Sequence, residues 1–429
     1  MADGGPRPDA GAVARRPAWL DVLLVALRLG LTSFGGPIAH VGYQRQAFVA
    51  RLRWLDEGSF AELVALGQAL PGPASSQLTL AVGRLRAGWA GAIAAWVGFT
   101  LPSAVLMTVL GLVVAGATIP TAGPIAGAVA GLKAAAVAVV AQAVVAMGRR
   151  LTPDLPRLAL AGVAGIVTLA VPVPAVQPLL IGAGAVAGWI GLRGVADEHA
   201  PGSAAAPGPA APGDLGGTPG HVGGVRTAAA LGVAWVALLV GSQVLTAATD
   251  RPELGFLAAL VRAGALVFGG GHVVLPLLDA GVVEPGWVTP DAFLAGYGAA
   301  QALPGPLFAF AAYLGVISAS GPGGVAGAVA STVAIFLPGA LLVLAALPVL
   351  RRLRARPGVA AALAGTNAAV VGVLAAALVT PVGTGGLTSP AAVVVAALGT
   401  AGLLAGRVPP LAVVAASAVA LGAVEALAG

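Results

Sequence analysis

One pattern of helix-breaking residues occurs twice in this chain, and it constrains the fold more than any other feature. Phe34-Gly35-Gly36-Pro37 leads to Trp54 and then to Gln68-Ala69-Leu70-Pro71-Gly72-Pro73. Phe268-Gly269-Gly270-Gly271 leads to Trp287 and then to Gln301-Ala302-Leu303-Pro304-Gly305-Pro306. The Trp-to-Gln spacing is 14 in both copies, and the Phe-to-Gln spacing is 34 in one and 33 in the other. Gly and Pro interrupt helices, so words built from them at matched positions imply a duplicated unit that breaks its helices at equivalent places.

Composition says what surrounds those breaks. Of 429 residues, 58% are hydrophobic and 9% charged, against about a quarter charged in an ordinary soluble domain. With a mean hydropathy of +0.97, the chain is expected to be an all-α, multi-pass protein of the inner or plasma membrane, with the lipid bilayer as its solvent. Its 64 Gly and 33 Pro suit close helix packing and interrupted helices in lipid. The absence of Cys excludes disulfides and thiolate metal sites, and four His at no ligand spacing offer no metal site. The net charge of +6 does not indicate nucleic acid as a partner, because the Arg excess sits in short loops where it orients membrane helices. No catalytic triad, phosphate loop or nucleotide motif occurs, so the expectation is neither an enzyme nor an ATP-driven pump, with no cofactor.

Residues 1–18 form a basic N-terminal tail that lacks a signal-peptide cleavage pattern. A first repeat is expected over 19–193, with apolar segments at 19–36, 88–116, 122–147, 157–171 and 175–193. An Ala, Gly and Pro-rich linker covers 194–226, and an unpaired connecting span covers 227–247. The second repeat, 254–427, carries apolar segments at 254–277, 323–350, 358–380, 388–405 and 409–427. In each repeat two half-length segments also flank Pro-Gly-Pro, at 57–71 with 73–87 and at 291–303 with 306–320. Counting one net crossing for each hinged pair gives about thirteen spans.

Arg84 and Arg86 precede segment 88–116, whereas Arg351, Arg352, Arg354 and Arg356 follow its counterpart 323–350. Basic loops favour the cytoplasm, so the two repeats are expected to have inverted topology. That count leaves the loop 37–56, with Arg45, Arg51 and Arg53, on the outside. Either those arginines attract an anion there or the count is wrong at that point.

Broken helices in inverted repeats mark transport sites near the bilayer midplane. A helix that begins after Pro-Gly-Pro presents unpaired N–H groups and the positive end of its dipole, a natural seat for an anion. The candidate binding residues are therefore Pro71, Gly72, Pro73, Pro304, Gly305 and Pro306 at the hinges. Phe34, Gly35, Gly36, Phe268, Gly269, Gly270, Gly271 and His272 lie at the glycine words, where backbone can approach an ion as a nest. Gln68, Gln77, Gln301, Ser75 and Ser76 supply further donors. Kinking and helix packing are the plainer alternative for any single Gly or Pro.

Lys133, the only Lys, is a candidate for direct anion contact, and its counterpart in the second repeat is Asn367. Arg28 and Arg262, each six positions before its Phe word, are intramembrane cations that need a reason: an anion, a paired carboxylate such as Asp21, or snorkelling. His40, His272 and Glu62 are candidate proton carriers, with hydrogen-bonded helix-end roles as the plainer reading. Arg45 is a further candidate for a charge role. Asp279, Glu284 and Asp291 are expected to line a wet loop, and Trp54, Trp89 and Trp287 to anchor at the membrane interface.

Taken together, Phe-Gly-Gly-Pro with His40 and Arg45, the two Gln-Ala-Leu-Pro-Gly-Pro words, Phe99-Thr100-Leu101-Pro102 and the 268–276 run Phe-Gly-Gly-Gly-His-Val-Val-Leu-Pro resemble the two-domain form of the chromate ion transporter family. The resemblance extends over about 19–427 apart from the linker. It implies secondary active export of chromate, a sulfate-like tetrahedral oxyanion, across the plasma membrane, with resistance to chromate as the outcome. Protons as coupling ion and a homodimer are expectations alongside it. Transport of sulfate, molybdate or another anion is the alternative within the class, and an anion channel the alternative outside it. Family members commonly carry Glu directly after the first Pro-Gly-Pro; this chain has Ala74 there, so no coupling carboxylate carries over to that position.

Overall fold

The computed structural model describes residues 16–116, 122–171, 173, 175–192, 223–268, 271–349 and 357–428. The tail to residue 15, the linker 194–222, Gly269, Gly270, Arg193 and the arginine cluster at 351–356 lie outside the described residues. Every element described is helical. The first repeat comprises α1 (Ala18–Thr32), α2 (Gly36–Arg45) continued by a π turn (Gln46–Arg51), α3 (Glu57–Ala69), α4 (Ala74–Gly116), α5 (Pro124–Leu151), α6 (Leu155–Ala170) and α7 (Val176–Gly191). The connecting helix is α8 (Val225–Ala248).

The second repeat follows the same order. It comprises α9 (Pro252–Leu266), a 3-10 turn (Gly271–Val273) leading into α10 (Val274–Leu278) and a π turn (Asp279–Val283), then α11 (Pro290–Ala300) and α12 (Phe310–Ile317). It continues with α13 (Gly324–Ala346), α14 (Pro357–Ala377), α15 (Pro390–Leu404) and α16 (Pro410–Ala428). Six stretches among the described residues are long and apolar enough to cross a membrane: Ala74–Gly116, Pro124–Leu151, Val225–Ala248, Gly324–Val349, Gly358–Gly386 and Pro410–Leu427. Shorter apolar helices accompany them. The chain is thus an all-α, multi-pass membrane protein.

The segments expected at 19–36 and 254–277 are each cut short. α1 stops at Thr32 and α9 at Leu266, and the glycine word then starts a new helix. Gly35 and Gly36 hold φ of +92° and +79°, values that glycine adopts without steric cost.

The new helix turns back. Trp54, just past the π turn, shares a cluster with Val22 and Leu23 near the start of α1 and with Ala87 and Ala94 of α4. Arg86 lies 5.5 Å from the Trp54 ring centroid. α3 therefore leaves this end of the molecule, and the first part of α4 returns to it after the Pro71-Gly72-Pro73 hinge. The one net crossing expected of the hinged pair is corrected: both of its arms meet at Trp54. With α1 and α2 also folding back, Arg51 and Arg53 flank Trp54 at the same end as Arg84 and Arg86, so the position counted for the 37–56 loop is corrected too. Short interrupted helices with exposed, polar connections explain the misreading, because apolar length alone does not distinguish a hairpin from a crossing.

α4 breaks at Ala87–Gly88, where both residues leave helical φ and ψ and Gly88 has φ +63°. The chain reverses there, and Gly83 packs so closely on Gly91 that neither has room for a Cβ. Gly315 and Gly327 make the same contact between α12 and α13. At Trp287 the arrangement recurs: Phe256 of α9 meets its ring edge-on at 6.1 Å, and the Trp287 carbonyl accepts from Ala319 N beyond α12 at 2.9 Å. Gly111, near the far end of α4 from Trp54, packs on Val316 in the last turn of α12. From Gly88 to Gly111 a helix rises about 35 Å. Trp54 and Trp287 thus mark opposite ends of the molecule.

The repeats also exchange helices. α5 is packed by α16 and α15 of the second repeat, and α14 by α7 and α6 of the first. Gly131 abuts Ser417 and Gly365 abuts Gly184, each without room for a side chain. Small residues allow such backbone approach in lipid, where packing replaces the hydrophobic effect between helices.

Candidate functional site

The two Pro-Gly-Pro hinges are held by reciprocal hydrogen bonds. Gly72 N donates to Val267 O at 2.7 Å, and Gly305 N donates to Ser33 O at 2.8 Å. Val267 and Ser33 are the residues directly before the two Phe words, so each hinge of one repeat is bonded to the broken helix of the other. Gly72 has φ +121°, and a Cβ there would come within 2.9 Å of Gly339 Cα, beyond Pro338 of α13. Gly305 has φ +93°, and a Cβ there would lie 2.8 Å from Ser103 Oγ, beyond Pro102 of α4. Gly30 on Phe99 and Gly264 on Ile335 set the helices carrying these contacts edge to edge. The glycine words meet as well: a Cβ on Gly36 would sit 4.0 Å from His272 Nε2.

Polar groups gather around these hinges. Gln77 Nε2 donates to Pro71 O at 2.8 Å and to Gly339 O at 3.1 Å, tying the first hinge to the second repeat. His40 Nδ1 lies 3.2 Å from Ser75 Oγ, and Gln44 Nε2 donates to Ser75 O and Thr79 Oγ1 at 2.8 and 2.7 Å. His272 Nδ1 lies 3.0 Å from the Tyr297 hydroxyl. Several buried atoms near the breaks have no partner among the described residues: the hydroxyls of Ser33, Ser76 and Thr100, the Gln301 amide nitrogen and the Asn367 amide oxygen. Buried donors without partners are rare in folded proteins and point to a ligand or water in that place.

Other candidate residues are engaged elsewhere. Gln68 is exposed, and its Oε1 accepts from Arg150 Nη2 at 3.0 Å. Lys133 is buried on α5, and its Nζ bonds Asp291 Oδ1 of α11 at 2.8 Å; the lysine side chain is 11% exposed and the aspartate 76%. Asp291 was expected in a wet loop and instead opens α11 with its carboxylate on the lysine. Arg45 pairs with Glu57 through two hydrogen bonds on the exposed surface. Beside that pair, Asp56 caps α3: Oδ1 accepts from Ser59 N at 2.8 Å and Oδ2 from Ser59 Oγ at 2.9 Å. Those bonds, the backbone one first, hold its carboxyl below the ordinary range. Glu62 is partly buried on α3, Arg28 is exposed on α1 and Arg262 is partly buried on α9.

Sequence reasoning passed over Ser33, Ser103, Tyr297 and Gly339. A signal for two of them was present: Leu101-Pro102 and Leu337-Pro338 are a second repeated word, and the residue after each Pro abuts the opposite hinge. Among the described residues no group of His, Asp and Glu is placed to hold a metal.

A family model described as "Chromate transporter" matches residues 20–189 and 254–422, the two repeats. The chromate transport protein of Pseudomonas aeruginosa is 30% identical over 73% of this chain and 68% of its own length. A probable chromate transport protein of Synechococcus elongatus is 27% identical over 82% of each. The chromate transport protein of Cupriavidus metallidurans is 25% identical over 86% of this chain and 84% of its own. No solved structure matches the chain. With the model covering both halves and the repeated hinges falling inside them, the chain is a member of the chromate transporter family.

Proposed function

We propose that this protein exports chromate across the plasma membrane by alternating access of two inverted repeats around the paired hinges. The reciprocal bonds from Gly72 to Val267 and from Gly305 to Ser33 carry the reading. They join the interrupted helices of both repeats, so a rocking of one repeat against the other moves both hinges together. The opposed Trp54 and Trp287 ends support the inversion.

An entering dianion loses its hydration and needs compensation from donors and positive charge. The first-turn N–H groups of α4 after Pro73, the hydroxyls of Ser33, Ser76 and Thr100 and the Gln301 amide supply the donors. Lys133 supplies a full positive charge once it leaves Asp291, and that exposed carboxylate acts as the internal counter-ion when no substrate is bound. His40 and His272, each hydrogen-bonded beside a glycine word, are the candidates for proton coupling.

The test is uptake of labelled chromate into everted membrane vesicles, with and without an imposed proton gradient and with sulfate as competitor. Gradient-dependent uptake reduced by sulfate is expected. Uptake that ignores both the gradient and sulfate would sink the coupled, tetrahedral-dianion mechanism, and current that follows voltage without proton movement would indicate a channel.

A further inference from the structure

The two repeats differ at the arginine that precedes each Phe word. In the second repeat α9 packs directly on α10 and its π turn, and Gly281 of that turn lies against Ala259 and Arg262. α8 runs along α9 and α13 as an additional cover. In the first repeat a groove of about 710 Å³ separates α1 from α2 and its π turn. Its walls include Leu24, Val25 and Arg28 on one side and Tyr43, Ala47 and Arg51 on the other. Leu24 and Tyr43 are 44% and 39% exposed. α1 packs chiefly on α4, and no helix equivalent to α8 lies along it among the described residues.

Arg28 and Arg51 both face this groove, and among the described residues neither has a carboxylate partner. Arg28 lies ten residues into α1, about 15 Å from its start. A lone guanidinium at that depth beside apolar walls is costly unless it snorkels or meets an anion. Arg51 stands at the Trp54 end, where Arg53 and Arg86 add positive charge at interface level. Arg51 at the mouth of an apolar groove that runs into the membrane, with Arg28 further along its wall, complements an anionic headgroup with its acyl chain beneath.

We infer that this groove binds an anionic glycerophospholipid, its phosphate held by Arg51 and Arg28 and one acyl chain lying between α1 and α2. The lipid takes the place in the first repeat that protein fills in the second. A free oxyanion shares the phosphate chemistry and would meet donors on Arg28, Tyr43, Gln46 and Arg51, but it would leave the apolar wall of Leu24, Val25, Leu29 and Ala47 uncovered, so the lipid is the assigned occupant.

Native mass spectrometry of the purified full chain, offered phosphatidylglycerol and phosphatidylcholine in equal amounts, tests this. Retention of phosphatidylglycerol is expected to exceed that of phosphatidylcholine by about thirtyfold, the preference two arginines confer, and to survive excess sulfate. Arg51→Ala and Arg28→Gln are each expected to reduce it about fivefold. Equal retention of the two lipids by the unmodified protein overturns the assignment, as does unchanged retention by both variants. Displacement by sulfate gives the groove to the free anion and also overturns it. The competition on unmodified protein decides the matter even if a variant does not fold, and it is independent of whether chromate is the substrate.

Discussion

The two repeats share a plan and differ in how they are finished. In the first, the hinge residue before Pro-Gly-Pro, Gln68, reaches outward to Arg150. In the second, its counterpart Gln301 is half-buried, and its amide nitrogen is buried with no partner among the described residues. The third long helix carries a cation in one repeat, Lys133, and a neutral amide in the other, Asn367. A duplicated scaffold supplies symmetric backbone positions, which suit the reciprocal hinge bonds. On the proposed mechanism a single intramembrane cation faces the substrate, and a second, unpaired one would carry the cost of an uncompensated buried charge. Divergence between the copies gives a symmetric frame two chemically different halves.

Four sets of variants probe the two copies, beginning with the most damaging. Gly72→Ala combines a positive φ with a Cβ 2.9 Å from the backbone of Gly339, and is expected to reduce chromate transport on the order of a hundredfold. Gly305→Ala meets the hydroxyl of Ser103 instead, so its loss is expected to be smaller and to be partly recovered by Ser103→Gly, the residue type found at Gly339. Equal losses without recovery would contradict the hinge geometry.

Lys133→Ala is expected to cost about tenfold or more in vesicle transport at matched protein abundance, the worth of a charge-assisted contact, with Asn367→Ala costing severalfold less. Reversed effects would place the substrate's cation elsewhere. Gln301→Ala is expected to lower transport about fivefold, as for one neutral hydrogen bond, and Gln68→Ala by less than about twofold. A dominant Gln68 effect would show that the outward rotamer turns inward during transport. Last, Asp56→Ala removes the α3 cap and is expected to cost about 1 kcal/mol, read as a lower midpoint of thermal unfolding in detergent. Because hydrogen bonding lowers the Asp56 carboxyl, its contribution is complete above the unfolded carboxylate range near about 4 and fades as pH falls through the lower folded value. A variant whose deficit persists undiminished in acid would remove the cap as the cause.

Most of the architecture is legible in the residue order, because the membrane leaves few choices. Long apolar stretches become helices since no other open structure satisfies backbone polar groups in lipid. The glycine and Pro-Gly-Pro words locate the breaks after α1, α3, α9 and α11, whereas the reversals at Ala87–Gly88 and between α12 and α13 fall outside them. The partners of charged side chains were not legible in the same way. Lys133 and Asp291 are 158 positions apart, and nothing in either neighbourhood specifies the other.

Residue order alone carries the duplication, the helical character and the lipid embedding of the chain, and most of its helix breaks. Those properties follow from local chemistry: apolar length, missing N–H groups at Pro and the free φ of Gly. Packing in three dimensions adds that the interrupted arms return to the end they left, that each hinge is bonded to the opposite repeat, and that the terminal helices of the repeats are exchanged. These depend on which backbone surfaces come within a side chain's width of each other. Gly131 against Ser417 or Gly72 against Gly339 becomes a contact only after the whole chain has packed.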